Sequence, residues 1–291
     1  MPNNAVELEI FSERWFMSDG EVSLEVPVGA VEVRIERGLE YRRFKQTFDV
    51  PPEGLTRRPV IESWIDLRAR GYRSAENHVH VDTRRLAAML ACEDLDFGSS
   101  LTWWRGPDPK RPIPPGDGHV RVLTFAGRRS PTSIYDAELE YSWGAAYLTG
   151  AIRPLSIEPV PERPNLDYLR AGVKAGAIVH YQGGYSREVL LDALLGVVHT
   201  VNVCNNNFGL HSFQPRSRNS NLLRVDGFPV YDDTPEGMMK LNMESYYRLL
   251  NCGLRLAAGK HVTDNVTGER YVARAWREEP RNASLTMRFA F

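Results

Sequence analysis

Cysteine is scarce in this chain of 291 residues: there are three, Cys92, Cys204 and Cys252, and no CxxC pair. An odd count cannot close a disulfide set, which excludes a stapled scaffold and leaves small buried hydrophobes in a reducing compartment. Charge of one sign is also lacking. Lys and Arg number 36 against 37 Asp and Glu, a formal net charge of -1, so the cationic surface that coats DNA or RNA is missing and no nucleic-acid partner is expected. No apolar run approaches the ~20 residues of a membrane-spanning helix, so no membrane partner is expected either. The first residues, MPNNAVELEI, have neither a basic start nor a long apolar stretch. As given, the chain therefore reads as cytoplasmic; a signal trimmed from the natural N-terminus would make it secreted or periplasmic. GxGxxG, P-loop and GxSxG motifs are absent, which leaves dinucleotide, ATP and serine-hydrolase chemistry without an anchor. What remains is an ordinary globular composition, 42% hydrophobic and 25% charged, which excludes a disordered chain and a collagen.

The pattern along the chain divides in two. Residues 1–60 read as a small all-β module: EVSLEVPVGAVEVRIERG alternates around a Pro-Val-Gly break, RRFKQTFDV is a further strand, and PPEGLTRRP is a connector. Residues 61–291 alternate strands and helices. NHVHV is a short strand, and Asp82 or Thr83 caps a helix carrying Leu86, Met89 and Leu90. GSSLTWWRGPDPKRPIPPGDG reads as a loop, a pocket rim or a surface excursion. HVRVLTFAG and AELEYSW are strands, NLDYLRAGVKAG a helix stopped by Gly176, and AIVHYQ a strand. Ser186 caps REVLLDALL, Gly196 stops it, and VVHTVNV follows. Thr234-Pro235 opens a helix through MESYYRLLNC, stopped by Gly253. LRLAAG, YVARAW and the alternating SLTMRFAF complete the chain. A βα repeat with short connections predicts an α/β fold with a mostly parallel sheet or barrel.

Five places could carry chemistry. In His78-Val79-His80 the two imidazoles share one face of a strand that leads into a helix, where one divalent metal can accept both. In Tyr135-Asp136-Ala137-Glu138-Leu139-Glu140 three carboxylates share a face, and they repel unless solvated or neutralised by a cation. His180 and Gln182 share a face ahead of Gly183-Gly184, so His180 is a metal ligand, a general base or a hydrogen-bonded structural residue. Asn205, Asn206 and Asn207, with His211 soon after, form a polar loop able to hold substrate hydroxyls or carbonyls, or simply a turn. Asp264, in Lys260-His261-Val262-Thr263-Asp264, lies at a strand-to-loop junction and is a late ligand or an exposed turn. Trp103, Trp104, Trp143 and Tyr185 offer stacking surfaces.

Several of these stretches together resemble a known family. GYRSAENHVHVDTRRLAAMLACEDLDFG resembles the first metal motif of the polymerase-and-histidinol-phosphatase (PHP) superfamily, in its carbaryl-hydrolase-like branch. YDAELEYSWG, REVLLDALLGVVHTVNVCNNNF and YYRLLNCGLRL resemble the same branch, in the same order, over roughly residues 60–275. The resemblance implies a distorted (β/α)7-type barrel behind a small all-β module. It also implies a site of divalent metal (Zn, Mn or Fe) that activates water to hydrolyse an ester, amide, carbamate or phosphoester. On that pattern His78 and His80 fall on the first ligand pair and Glu138 or Glu140 near the bridging carboxylate. The strand ending at Gln182 falls on a segment that usually carries histidine, and the loop at Asp264 on one that usually ends in aspartate.

The sequence departs from the pattern at Ala145, Gln182 and Gly209, where the family usually has histidine. Three functions therefore compete. In a hydrolase, His78, His80 and a carboxylate hold metal, His180 or Asp264 moves the proton, and Gln182, the Asn205–Asn207 loop, His211 and Trp104 bind a small-molecule substrate. A degenerate relative would bind a saccharide or aromatic ligand in the same pocket. A third possibility gives the β module an assembly role, with the barrel as scaffold.

Overall fold

A computed structural model describes residues 6–10, 13–18, 20–38, 40–141, 144–160, 163–184, 186, 188–202, 234–257 and 286–289. Its first strands are β1 (Val6–Ile10), β2 (Glu13–Met17), β3 (Gly29–Glu36), β4 (Phe44–Val50) and β5 (Ala75–Glu76), followed by helix α1 (Thr83–Cys92). Next come β6 (Phe97–Trp104), β7 (Val120–Phe125), β8 (Arg128–Tyr141), β9 (Gly144–Thr149), α2 (Asn165–Lys174) and β10 (Ile178–Tyr181). The last elements are α3 (Val189–Leu194), β11 (Thr200–Asn202), α4 (Pro235–Asn251), β12 (Arg255–Ala257) and β13 (Thr286–Phe289). No helix among the described residues is long and apolar enough to cross a membrane.

The architecture is mixed α/β in two sheets. The first is antiparallel, in the order β1-β2-β13-β3-β4. Its third strand comes from the far end of the sequence, so this sheet is not built from residues 1–60 alone. The second sheet runs β12-β11-β10-β9-β8-β6-β5, with β7 paired to β8. It is parallel on both flanks and antiparallel where β9 meets β8 and β10. The larger sheet is thus mixed, with four parallel pairs and three antiparallel ones among the described strands. The reason is local: only residues 142–143 separate β8 from β9, and so short a connection can only join antiparallel neighbours. The same holds for β7 and β8, joined at Ala126-Gly127 with φ of 49° and 80°, as a two-residue hairpin requires.

Helix ends follow the sequence closely. Asp82 caps α1 by accepting from the Arg84 and Arg85 amides, Thr234 caps α4 through Gly237, and Gly176, Gly196 and Gly253 all sit just past helices at positive φ. Ser186 does not cap α3, which starts three residues later. The carboxylate of Glu188 instead accepts from the Asn165 amide at 2.8 Å, serving the N-terminus of α2, where Pro164 has no side chain to offer.

The stretch that reads as a loop from Gly98 to Trp104 is a buried strand, β6. Small polar residues signal loops only when water is their partner. Here Ser99 donates to Asp136 at 2.5 Å, and Thr102 donates to the Ile134 carbonyl at 2.8 Å. The strand buries its hydroxyls because its neighbour β8 accepts them. The excursion is correspondingly shorter, residues 105–119. Two apolar clusters result. One joins Leu139, Leu148, Tyr168, Val179 and Val201 to Tyr246 and Leu249 of α4; the other packs α1 against Val79, Val81 and Met17 of β2, tying the two sheets together.

Candidate metal centre

Cross-strand register builds the site. Trp104 of β6 lies beside Glu138 of β8, Glu138 beside Tyr147 of β9, Tyr147 beside His180 of β10, and His180 beside Thr200 of β11. One row of partners crosses the sheet, and directly paired residues put their side chains on one face. His78 and His80 reach this row from the sheet edge. They lie just beyond β5 rather than on a strand, because the Glu76 carboxylate accepts the amides of Asn77 and His78, each at 2.9 Å, in place of a ladder.

Three ligand atoms converge there. The Nε2 atoms of His78 and His80 are 2.8 Å apart. Glu138 Oε2 lies 2.6 Å from His80 Nε2 and 3.3 Å from His78 Nε2. All three side chains are buried, with at most 5% exposed. Yet Glu138 Oε2 accepts no hydrogen bond among the described residues, so the imidazoles approach it off the line an N–H would take. Ligand atoms that crowd one point, with the carboxylate oxygen left unsatisfied, suit a shared cation, and two nitrogens with one oxygen suit Zn and its divalent neighbours. This is the one group of three such side chains among the described residues. Burial pushes the Glu138 carboxyl up, but the charge of His78 and the contacts of both imidazoles outweigh it and hold the group below the usual carboxylate range.

The surrounding residues fall into clear places. Tyr147 Oη lies 3.2 Å from His78 Nδ1, and its ring stacks on His180 with centroids 4.9 Å apart. His180 Nε2 receives the Thr149 hydroxyl at 3.0 Å and the Asn77 amide at 3.4 Å. Asn77 Nδ2 can only donate, so the His180 proton sits on Nδ1, which is buried without a partner among the described residues. Burial, and the charge of His78 nearby, push this imidazole down to about 3, so it is neutral at ordinary pH.

The three carboxylates of β8 divide by environment. Asp136 is fully buried and accepts from Ser99, Ser133 and the Gly150 amide; burial raises its carboxyl in spite of them. Glu138 joins the histidines. Glu140 turns from them to the Trp104 indole at 3.1 Å and Arg105 at 2.9 Å. Trp104 closes the wall of the site, its ring centroid 4.9 Å from that of His80 in an edge-on arrangement and 5.6 Å from the Arg111 guanidinium.

Gln182 is buried at the end of β10, and its amide donates to Ala145 at 2.9 Å. Gly184 makes room for protein rather than for a ligand: a Cβ there would stand 3.0 Å from the Tyr246 ring. Asn205, Asn206, Asn207, His211 and Asp264 lie outside the described residues, as do Trp143 and Tyr185. Tyr147 and Thr149 belong to no motif. Their signal is alternation, since Ala145, Tyr147 and Thr149 share one face, and Ala145 is the position where histidine is expected.

Comparison of the chain with family models, with curated proteins and with solved structures finds no match.

Proposed function

We propose that the protein is a metal-dependent hydrolase of the PHP type, with a distorted PHP-like barrel as its catalytic body and His78, His80 and Glu138 as its metal ligands. The observation that carries this reading is the buried convergence of two imidazole nitrogens and a carboxylate oxygen. Three protein ligands are the number a catalytic site provides when it keeps a further position for water or substrate. A divalent cation held there supplies Lewis acidity and an activated water for attack on an ester, amide, carbamate or phosphoester. The chain's own residues do the rest. Trp104 walls one side, and the neutral His180, stacked on Tyr147, holds that ring beside His78. Burial of the three ligands limits water at the reacting centre.

The test is elemental analysis of protein purified without a histidine tag or added metal. The expected result is about one Zn, Mn or Fe per chain, lost in a His78→Ala/His80→Ala variant that stays folded. A chain that neither carries nor takes up a divalent cation would overturn the reading. Ala145 favours a second reading, a relative that binds a saccharide or aromatic ligand without turnover. Metal-dependent hydrolysis of any member of an ester, amide and phosphoester panel would exclude it.

A further inference from the structure

Two imidazole nitrogens facing each other at 2.8 Å cannot both carry a proton. At most one of His78 and His80 is protonated on Nε2, and which of them holds such a proton follows from the surroundings. The anionic oxygen of Glu138 is 2.6 Å from His80 Nε2 and 3.3 Å from His78 Nε2, so a single shared proton is held better on His80. The other nitrogen of His80 points the same way. His80 Nδ1 is buried with no hydrogen-bond partner among the described residues, and a buried N–H without an acceptor is costly. His78 Nδ1, by contrast, faces the Tyr147 hydroxyl at 3.2 Å. In the neutral form that cation binding requires, the His78 proton therefore belongs on Nδ1, with Tyr147 Oη accepting it, and its Nε2 faces the Glu138 carboxylate.

We infer that Tyr147 is a positioning residue that sets the tautomer of His78, so that this imidazole stands in its ligand form before a cation arrives. This rests on the metal-centre reading above and adds a residue to it. The tyrosine is itself held fast. It is fully buried, and its ring stacks on His180, which Thr149 and Asn77 anchor. Asn77 directly precedes His78, so the contacts form a closed ring: His78, Tyr147, His180, Asn77. A ligating histidine commonly gives its second nitrogen to a carboxylate or carbonyl; here a phenol from the facing strand takes that place. His80 has no such support, so cation binding requires its proton to leave Nε2, which makes His78 the ligand set in advance.

The experiment uses the full-length protein labelled with 15N-histidine, the His78 signals being assigned by their loss in His78→Asn. In metal-free wild type, nitrogen shifts should report a neutral His78 protonated at Nδ1. Tyr147→Phe, which removes only the hydroxyl, should shift that population toward Nε2–H and weaken Co(II) binding, followed by visible absorption, about 10- to 100-fold. Far-UV circular dichroism checks that the variant is folded, and the wild-type tautomer decides the matter without it. His78 protonated at Nε2 in the metal-free wild type overturns the inference, as does a folded Tyr147→Phe with unchanged tautomer and cobalt affinity; either leaves the metal centre standing. Wild type that takes up no Co(II) overturns the metal centre and this inference together.

Discussion

Glu138 concentrates the electrostatics of the site in one side chain. It is buried to 3% exposure, where a lone carboxylate would protonate, yet the two imidazoles hold it ionised. Glu138→Gln keeps the volume and removes the charge. The expected outcome is a loss of divalent-cation affinity of more than about tenfold, measured by competition with a chromophoric chelator; an unchanged affinity would place the ligands elsewhere. Asp136, two residues earlier on the same strand, is a structural contrast. It receives two hydroxyls and an amide, and Asp136→Ala would leave the two buried hydroxyls and the part-buried amide without this acceptor. We expect roughly 2–4 kcal/mol of destabilisation in urea unfolding, and a smaller loss for Asp136→Asn, which retains an acceptor.

At the scale of elements, α2 and β9 approach closely. Gly172 of α2 sits against Leu148: a Cβ there would come within 2.6 Å of one Leu148 methyl and 2.8 Å of the other. Leu148 is fully buried beside Tyr147 and has nowhere to move. Alanine in place of glycine favours a helix by about 1 kcal/mol. Overpacking costs about 1–3 kcal/mol, so Gly172→Ala should lower the thermal midpoint despite its better propensity. A raised midpoint would mean that α2 lifts off the sheet freely. β6 shows the converse, a strand of small polar residues held in the interior because β8 accepts their hydroxyls.

Across the whole molecule, Asp94 links parts that are distant in sequence. It meets Arg68 at 3.0 Å, Arg37 at 3.4 Å and Tyr41 at 2.9 Å, and it pairs with Arg128 of β8. Burial pushes its carboxyl up, but Arg128, Tyr41 and Arg37 prevail and hold it at about 2. The folded-state value lies below the unfolded one. The stabilisation is therefore complete above pH ~4 and fades as pH falls through about 2. The shift corresponds to roughly 2 kcal/mol. Unfolding free energy measured against pH should decline more steeply between pH 4 and 2 in the wild type than in Asp94→Asn; parallel profiles would show that Asp94 is not the group responsible.

Much of this was legible in the sequence. Helix starts and stops are local events, and Asp82, Thr234, Gly176 and Gly253 announce them because caps and positive φ depend on a few neighbouring residues. Alternation along β8 offers Glu138 to a single side, again by local geometry, and the i, i+2 pair His78 and His80 marks the ligands although they lie just beyond β5. What only the tertiary structure decided is which partners meet. Three carboxylates on one strand face look alike in sequence; strand register gives Glu138 to the histidines, Glu140 to Trp104 and Arg105, and Asp136 to two serines and an amide. Tyr147 reaches His78 from 69 residues away. The mixed strand directions, and the return of β13 to the first sheet, arise from pairing between distant segments. Backbone dihedrals and side-chain spacing are set by near neighbours, whereas register, burial and the sharing of a charge are set by residues that only folding brings together.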